Sequence, residues 1–277
     1  MGNELKTSVF DKKVRFLGAG VTGKVDLFKG KSLYAVKAYD CKEKYESSEE
    51  YKQRVSHEYE VLNKLDHFNV IKVYKFTSSK FNSKVSLYME YGGSTVTEML
   101  KKTETSEILC MYKQIINGVH YLHDNNVCHR DLKFDNVLMN EEGYIKLIDF
   151  FDSSTKPESY GIVGTDRFVA PEVFSKIKYN GLISDIWSLG IMLYYIHFKK
   201  YPWKLAQLDN HGYKDFLDHG LDLNGVPSGV KTCLQNMITT DDKRWNIDKL
   251  IENEWIDQLH SCKLGIPCGY DHSRLFK

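Results

Sequence analysis

One run, VCHRDLKFDNVL at 127–138, holds most of the chemistry this chain can do. It sets Asp131 two positions before Lys133 and five before Asn136, and a further acid, Asp149, ends the apolar run YIKLID. One carboxylate can take the proton of an attacking hydroxyl. A second carboxylate with an amide oxygen can hold Mg²⁺, a hard cation that takes oxygen ligands. A lysine beside the base can screen charge developing on a transferring group. Four such residues at these spacings are a specific signal.

Upstream, GAGVTG at 18–23 fits G-x-G-x-x-G. Glycines also serve any tight hairpin, so the match alone decides little. Its setting is more informative: strand patterns lie on both sides, whereas a dinucleotide-binding fingerprint needs a helix after the glycines. Backbone free of side chains could fold over a triphosphate and offer it N–H groups. Lys37 follows in LYAVKAY, sharing a strand face with Leu33, Ala35 and Tyr39. A strand lysine is ordinarily a solvated edge residue; after a glycine loop it suits phosphate pairing. It then needs an acid. On the next helix Val55, Tyr59, Leu62 and Leu65 read as the apolar stripe, and Glu58 falls on that face while Glu60 does not.

The elements that must carry these groups divide the chain. Runs at 14–20, 24–28, 33–39, 71–77 and 85–91 read as short strands, with a Glu- and Lys-rich helix near 48–65. Gly92 and Gly93 break the pattern. Beyond them Ile108, Tyr112, Ile115, Val119 and Leu122 recur at steps of four and three, the mark of an amphipathic helix. Further helices are expected near 171–176, 184–198, 213–219, 230–238 and 246–253. The expected architecture is α+β and bilobal: a small β-rich N-lobe (1–91) with one main helix, and a larger helical C-lobe (92–277), together one domain over 1–277.

With these motifs in this order, the chain resembles the protein kinase superfamily over nearly its whole length. The resemblance implies Asp131 as catalytic base, Lys133 as its assistant, and Asn136 and Asp149 as Mg²⁺ ligands. It implies a Lys37–Glu58 pair serving the phosphates of ATP. Leu17, Gly18, Ala19, Gly20, Val21, Thr22, Gly23, Lys24 and Val25 would cover the nucleotide, with Ala35, Met89, Glu90, Gly92 and Leu138 around the adenine. Lys133 in HRDLK and Thr165 in GTDRFVAPE are similar to serine/threonine kinases, so protein serine and threonine hydroxyls are the implied substrates. Glu172 would pair with Arg244, and Asp185 would cap the catalytic loop. GIVGTDRFVAPEV and YPWKLAQLDN also resemble the fungal halotolerance and nitrogen-permease-reactivator kinases, which regulate plasma-membrane transporters. Members of that group carry a long N-terminal extension; the glycine loop starting at residue 18 leads us to expect none here.

Two departures stand out. Where the family reads D-F-G, this chain has Asp149-Phe150-Phe151. Glycine reaches left-handed backbone that a bulky residue adopts only at about 1–2 kcal/mol, so Phe151 is expected to restrict the loop while leaving it active. Counting back from Ala170-Pro171-Glu172, Gly161 stands where many kinases carry a phosphorylated threonine. Arg130 then lacks a phosphate partner there; Ser153, Ser154, Thr155, Ser159 and Tyr160 stay open as other sites, and activity without phosphorylation at the usual position is expected. Asp135 hints at basic substrates. In the tail, His260, Cys262, Cys268 and His272 crowd together, but their spacing matches no common zinc pattern, and no metal ligand is assigned.

Composition narrows the alternatives. Thirty-eight basic against 37 acidic residues leave +1, which gives no ground for nucleic acid as partner. The most apolar stretch, 188–198, is too short for a bilayer, so no membrane insertion is expected. Six scattered cysteines suit a reducing compartment. A monomeric cytoplasmic enzyme is expected, with a nuclear location left open. A catalytically silent binding protein has only Phe151 in its favour. A small-molecule phosphotransferase would generally lack both the APE and the D-x-W-S-x-G strings present here.

Overall fold

The protein's structure, a computed structural model, describes residues 11–20, 22–40, 42–78 and 85–276. The chain divides into two compact units whose boundary falls between Gly92 and Gly93, within the glycine break and one residue beyond the lobe boundary expected above. The α+β class is as expected.

The N-terminal unit is a five-stranded antiparallel sheet with one helix. β1 (Lys12–Gly20), β2 (Gly23–Lys29), β3 (Leu33–Tyr39), β4 (Val73–Ser78) and β5 (Val85–Glu90) lie in the order β1-β2-β3-β5-β4. Register decides what each face carries. Val25 stands opposite Lys37 and Lys37 opposite Leu87, while Leu27, Ala35 and Met89 form the next rung. Directly opposed residues project to one side, so one face presents Val25, Ala35, Lys37 and Met89 together.

Helix α1 (Ser48–Leu62) starts where Ser47 and Glu50 cap each other: Glu50 N donates to Ser47 Oγ at 3.1 Å and Ser47 N to Glu50 Oε2 at 2.8 Å. Its buried side is Tyr51, Val55, Glu58, Val61 and Leu62. This corrects the expected stripe. The helix stops at Leu62, so Leu65 lies beyond it, and Tyr59 is only half-buried. Glu58 stays on the buried side.

The C-terminal unit is mainly helical. β6 (Ser94–Thr95) and α2 (Val96–Met99) lead into α3 (Thr105–Asp124), whose Ile108, Tyr112, Ile115, Val119 and Leu122 are all buried. A short 3-10 turn at Phe134–Asn136 runs into the hairpin β7 (Val137–Met139) and β8 (Ile145–Leu147). β9 (Glu158–Tyr160), α4 (Pro171–Ser175) and β10 (Lys178–Asn180) follow, with β9 and β10 paired antiparallel.

Helix α5 (Gly181–Phe198), capped by Asn180, is buried nearly all round and forms the spine of the unit. The Tyr112 hydroxyl of α3 donates to Leu189 O of α5 at 3.0 Å. Against α5 pack α6 (His211–His219) and α7 (Ser228–Met237), and Trp187, Trp203, Tyr213 and Phe216 make an aromatic cluster there. α8 (Ile247–Ile251) and α9 (Glu254–Asp257) precede a tail that ends in a 3-10 turn, His272–Phe276. Among the described residues no helix is long and apolar enough to cross a membrane.

Candidate active site

In the N-terminal unit Lys37 Nζ meets Glu58 Oε2 at 2.7 Å, with exposures of 7% and 2%. The Tyr39 hydroxyl donates to the same Glu58 oxygen at 2.7 Å, and the ammonium stands 5.3 Å from the Tyr39 ring centre. The carboxylate is thus fixed from two sides, and it holds the ammonium on the face carrying Val25, Ala35 and Met89. Sequence reasoning placed Tyr39 on this face without seeing that its hydroxyl steadies the acid.

Gly18, Ala19 and Gly20 end β1, Thr22 occupies the turn, and Gly23, Lys24 and Val25 open β2. Val21 lies outside the described residues. Leu17 sits in an irregularity of the β1–β2 ladder, between Phe16 and Gly18. A Cβ built on Gly18 or Gly20 would touch nothing within 4 Å, so that backbone is open to an approaching group. Glu90 N donates to Lys72 O at 2.9 Å, and its side chain accepts from Lys72 N at 2.7 Å. Gly92 is buried at the end of the unit.

In the C-terminal unit one network holds the reactive groups. Asp131 Oδ2 accepts from Lys133 Nζ at 2.6 Å and from Asn136 Nδ2 at 2.9 Å; its Oδ1 accepts from the Thr165 hydroxyl at 2.8 Å. Lys133 Nζ also reaches Thr165 Oγ1 at 2.5 Å. Asn136 Nδ2 further donates to Asp131 O at 2.8 Å, which commits the amide nitrogen and leaves its oxygen as the atom a cation would take. Ile148 N donates to Asn136 O at 3.0 Å, tying the loop to the strand end that carries Asp149. Leu138 lies half-buried on β7, paired with Thr95 and Lys146.

The loop is held from beneath. Asp185 accepts from His129 N and Arg130 N, both at 2.8 Å, and lies 3.0 Å from His123 Nε2. His129 is fully buried. Its Nδ1 accepts from Asp131 N at 3.3 Å and its Nε2 donates to Ile148 O at 3.0 Å, so the ring orients the residue that carries the base. Phe150 packs on that ring at 4.8 Å between centres.

The Asp149-Phe150-Phe151 segment corrects one expectation. The left-handed residue there is Asp149, at φ 63°, and not Phe151. A short acid tolerates that conformation better than a large aromatic does, and Phe151 escapes the cost foreseen for it. The following acid, Asp152, is raised above its ordinary pKa, chiefly by burial and then by the negative charges of Asp131 and Asp149. The positive charges of Arg130 and His129 oppose that rise in part. Hard oxygens from Asp149 and Asn136 are the donor chemistry Mg²⁺ takes.

Residues 12–256 match the protein kinase domain family. The chain belongs to the protein kinase family. It is 36% identical over 227 residues to the nitrogen permease reactivator protein of Saccharomyces cerevisiae, covering 77% of this chain and 28% of that one. It is 28% identical to the serine/threonine-protein kinase PRR2 of the same yeast (94% and 45% covered), and 28% to the serine/threonine-protein kinase HAL4/SAT4 (86% and 42%). The domain is of the serine/threonine type, and the resemblance to the fungal halotolerance and permease-reactivator group stands. The chain spans less than half the length of these relatives.

In this kinase domain Arg130 ties the activation segment to the catalytic loop. Arg130, left-handed at φ 67°, donates through Nη2 to Tyr160 O at 2.5 Å and to the Tyr179 hydroxyl at 2.8 Å, with Nε 3.2 Å from that hydroxyl. The Tyr179 hydroxyl passes on to Gly161 O at 3.1 Å. The guanidinium thus has neutral oxygens at the position noted as lacking a phosphate, and β9–β10 pairing clamps the same stretch. Gly164 presses on the catalytic loop at φ 98°: a Cβ there would stand 2.7 Å from Arg130 O. The Ser188 hydroxyl donates to Phe168 O at 2.8 Å, and Glu172 meets Arg244 in a buried two-pronged pair at 2.5 and 3.1 Å. Sequence reading foresaw the Glu172–Arg244 pair; it did not see Tyr179.

Proposed function

We propose that this chain transfers the γ-phosphoryl of Mg·ATP to serine and threonine hydroxyls of other proteins. The observation that carries this is the Asp131 carboxylate held by Lys133, Asn136 and Thr165 at 2.6–2.9 Å. So fixed, Asp131 orients an incoming hydroxyl and takes its proton as the new O–P bond forms and the bond to ADP breaks. Lys133 stands where negative charge on the moving phosphoryl group develops. Asn136 and Asp149 would hold the metal, which when bound neutralises phosphate charge, and Lys37, steadied by Glu58 and Tyr39, would pair with phosphate oxygens.

Activity without phosphorylation at the position where many kinases carry a phosphothreonine belongs to this reading, because Arg130 already has its oxygens. So do a monomeric state and a cytoplasmic location; five described cysteines are all free thiols, which suits a reducing compartment. A relative named for reactivating a nitrogen permease makes permeases, or proteins that control them, the first substrates to try.

The test uses full-length protein, labelled ATP, Mg²⁺ and a generic basic substrate, beside Asp131→Asn. Incorporation should fall on the order of 10²-fold or more in the variant, with label on phosphoserine and phosphothreonine. Equal trace incorporation by the two proteins would replace the enzyme with a silent binding domain.

A further inference from the structure

We propose that the C-terminal tail closes a structural zinc site on helix α3, built from Cys110, Cys262, Cys268 and His272. Their ligand atoms, three sulfurs and one imidazole nitrogen, all lie within 4.8 Å of one another. Cys268 Sγ is 3.1 Å and Cys110 Sγ 3.7 Å from His272 Nε2. A tetrahedral ion with Zn–S of about 2.3 Å and Zn–N of about 2.0 Å sets its ligands about 3.5–3.8 Å apart. The observed separations bracket that spacing, so closure takes small side-chain adjustments. Three thiolates and an imidazole suit zinc and not magnesium or calcium.

Why spacing in the sequence concealed the site is now plain. Its first ligand stands on α3, 152 positions before Cys262. His260, which had been grouped with the tail residues, is exposed and outside the cluster. The tail itself is folded for the purpose. Lys263 and Ile266 exchange backbone hydrogen bonds at 2.9 and 2.7 Å, a tight turn that brings Cys262 and Cys268 round together. His272 opens the final 3-10 turn and seats its ring against Gly143, where φ is +81° and any Cβ would collide with the imidazole.

The surroundings treat Cys110 as an electron-rich sulfur. Cys262 N points at it from 3.4 Å and Gln114 Nε2 from 3.7 Å, and Gln114 also fixes the β7–β8 turn by donating to Gly143 O at 2.9 Å. Such N–H donors offset the net negative charge of a site in which three thiols release their protons to solvent as one divalent ion binds. His272 Nδ1 is buried with no hydrogen-bond partner among the described residues, so a cation on Nε2 would settle the proton on Nδ1.

The tail needs such a tie. From 258 to 276 only Cys262, His272 and Leu275 are buried, and two of those three are ligands. A segment of this length without strand or long helix cannot offset its ordering entropy with one leucine. Arg274 reaches back to Glu107 on α3, one turn from Cys110, but half-exposed pairs add little.

The experiment measures zinc by plasma emission in full-length protein purified without chelator. About one ion per chain is expected, falling to about a tenth or less in Cys262→Ser/Cys268→Ser, as loss of two ligands demands, and unchanged in Cys233→Ser, whose buried thiol lies elsewhere. Should the double variant fail to fold, cobalt-loaded wild type must show the absorption of a tetrahedral thiolate complex. Zinc-free wild type without cobalt bands, retained zinc in the double variant, or a disulfide among these cysteines under non-reducing mass spectrometry overturns the proposal. Phosphotransfer is not the readout, so neither result bears on the kinase reading.

Discussion

Asp131 and Thr165 lie 34 positions apart in sequence, yet a single hydroxyl joins them, with Lys133 completing the triangle. Removing that hydroxyl in Thr165→Val forfeits hydrogen bonds to charged groups, each of about 1.5–3 kcal/mol. Turnover should fall about 10- to 100-fold, and Thr165→Ser should restore most of it. Wild-type turnover in the valine variant would show that Thr165 is packing only. Asp152 gives a pH test. Its folded pKa is raised, so its ionisation costs stability, and the cost grows as pH rises above its ordinary value of 3.8. Asp152→Asn should therefore raise the melting temperature at neutral pH, with the gain shrinking as pH falls toward that value; a pH-independent difference would contradict the sign. At this scale Lys37 and Glu58 were legible because strand alternation and helix period each place one polar group on an apolar face. Tyr39 and Tyr179 were not, since a tyrosine at an apolar position reads as core and its hydroxyl's partner is set only by tertiary packing.

Elements hold these residues through a few polar ties. β9 and β10 pair over three residues, and the Arg130–Tyr179–Gly161 chain locks the stretch they frame. Tyr179→Phe keeps the ring and removes the hydroxyl. We expect protease cleavage between 155 and 167 to speed up several-fold and activity to fall, and unchanged cleavage would place the restraint in the ladder alone. The strands were visible in the sequence because glycines and β-branched runs punctuate them, whereas β9 and β10, three residues each, are too short to show alternation. The apolar stripe of α1 was read one turn too far, because Leu65 continues the period after the backbone has stopped being helical at Leu62. The expected strain at Phe151 moved to Asp149 for a comparable reason: a motif gives the residue, but local loop geometry decides which position turns left-handed.

Across the molecule, the C-terminal unit is pinned by the Glu172–Arg244 pair, with side-chain exposures of 3% and 0%. Breaking one partner of a buried pair costs about 3–5 kcal/mol, so Glu172→Gln should lower the melting temperature by about 6–20 °C; a shift within a degree would mean solvent repairs the loss. The division into a sheet-rich and a helical unit was legible from the change of period at Gly92–Gly93. The tail's attachment was not, since its partner Cys110 belongs to a helix whose pattern is fully accounted for by packing. The contact between Arg130 and its two tyrosine segments reaches furthest. Arg130 already spends its donors on Tyr160 O and the Tyr179 hydroxyl, so the proposed activity asks for no phosphate at that position. On that reading phosphatase treatment should leave the rate untouched, and a rate that falls would show a phosphate doing work that the tyrosine segments do not.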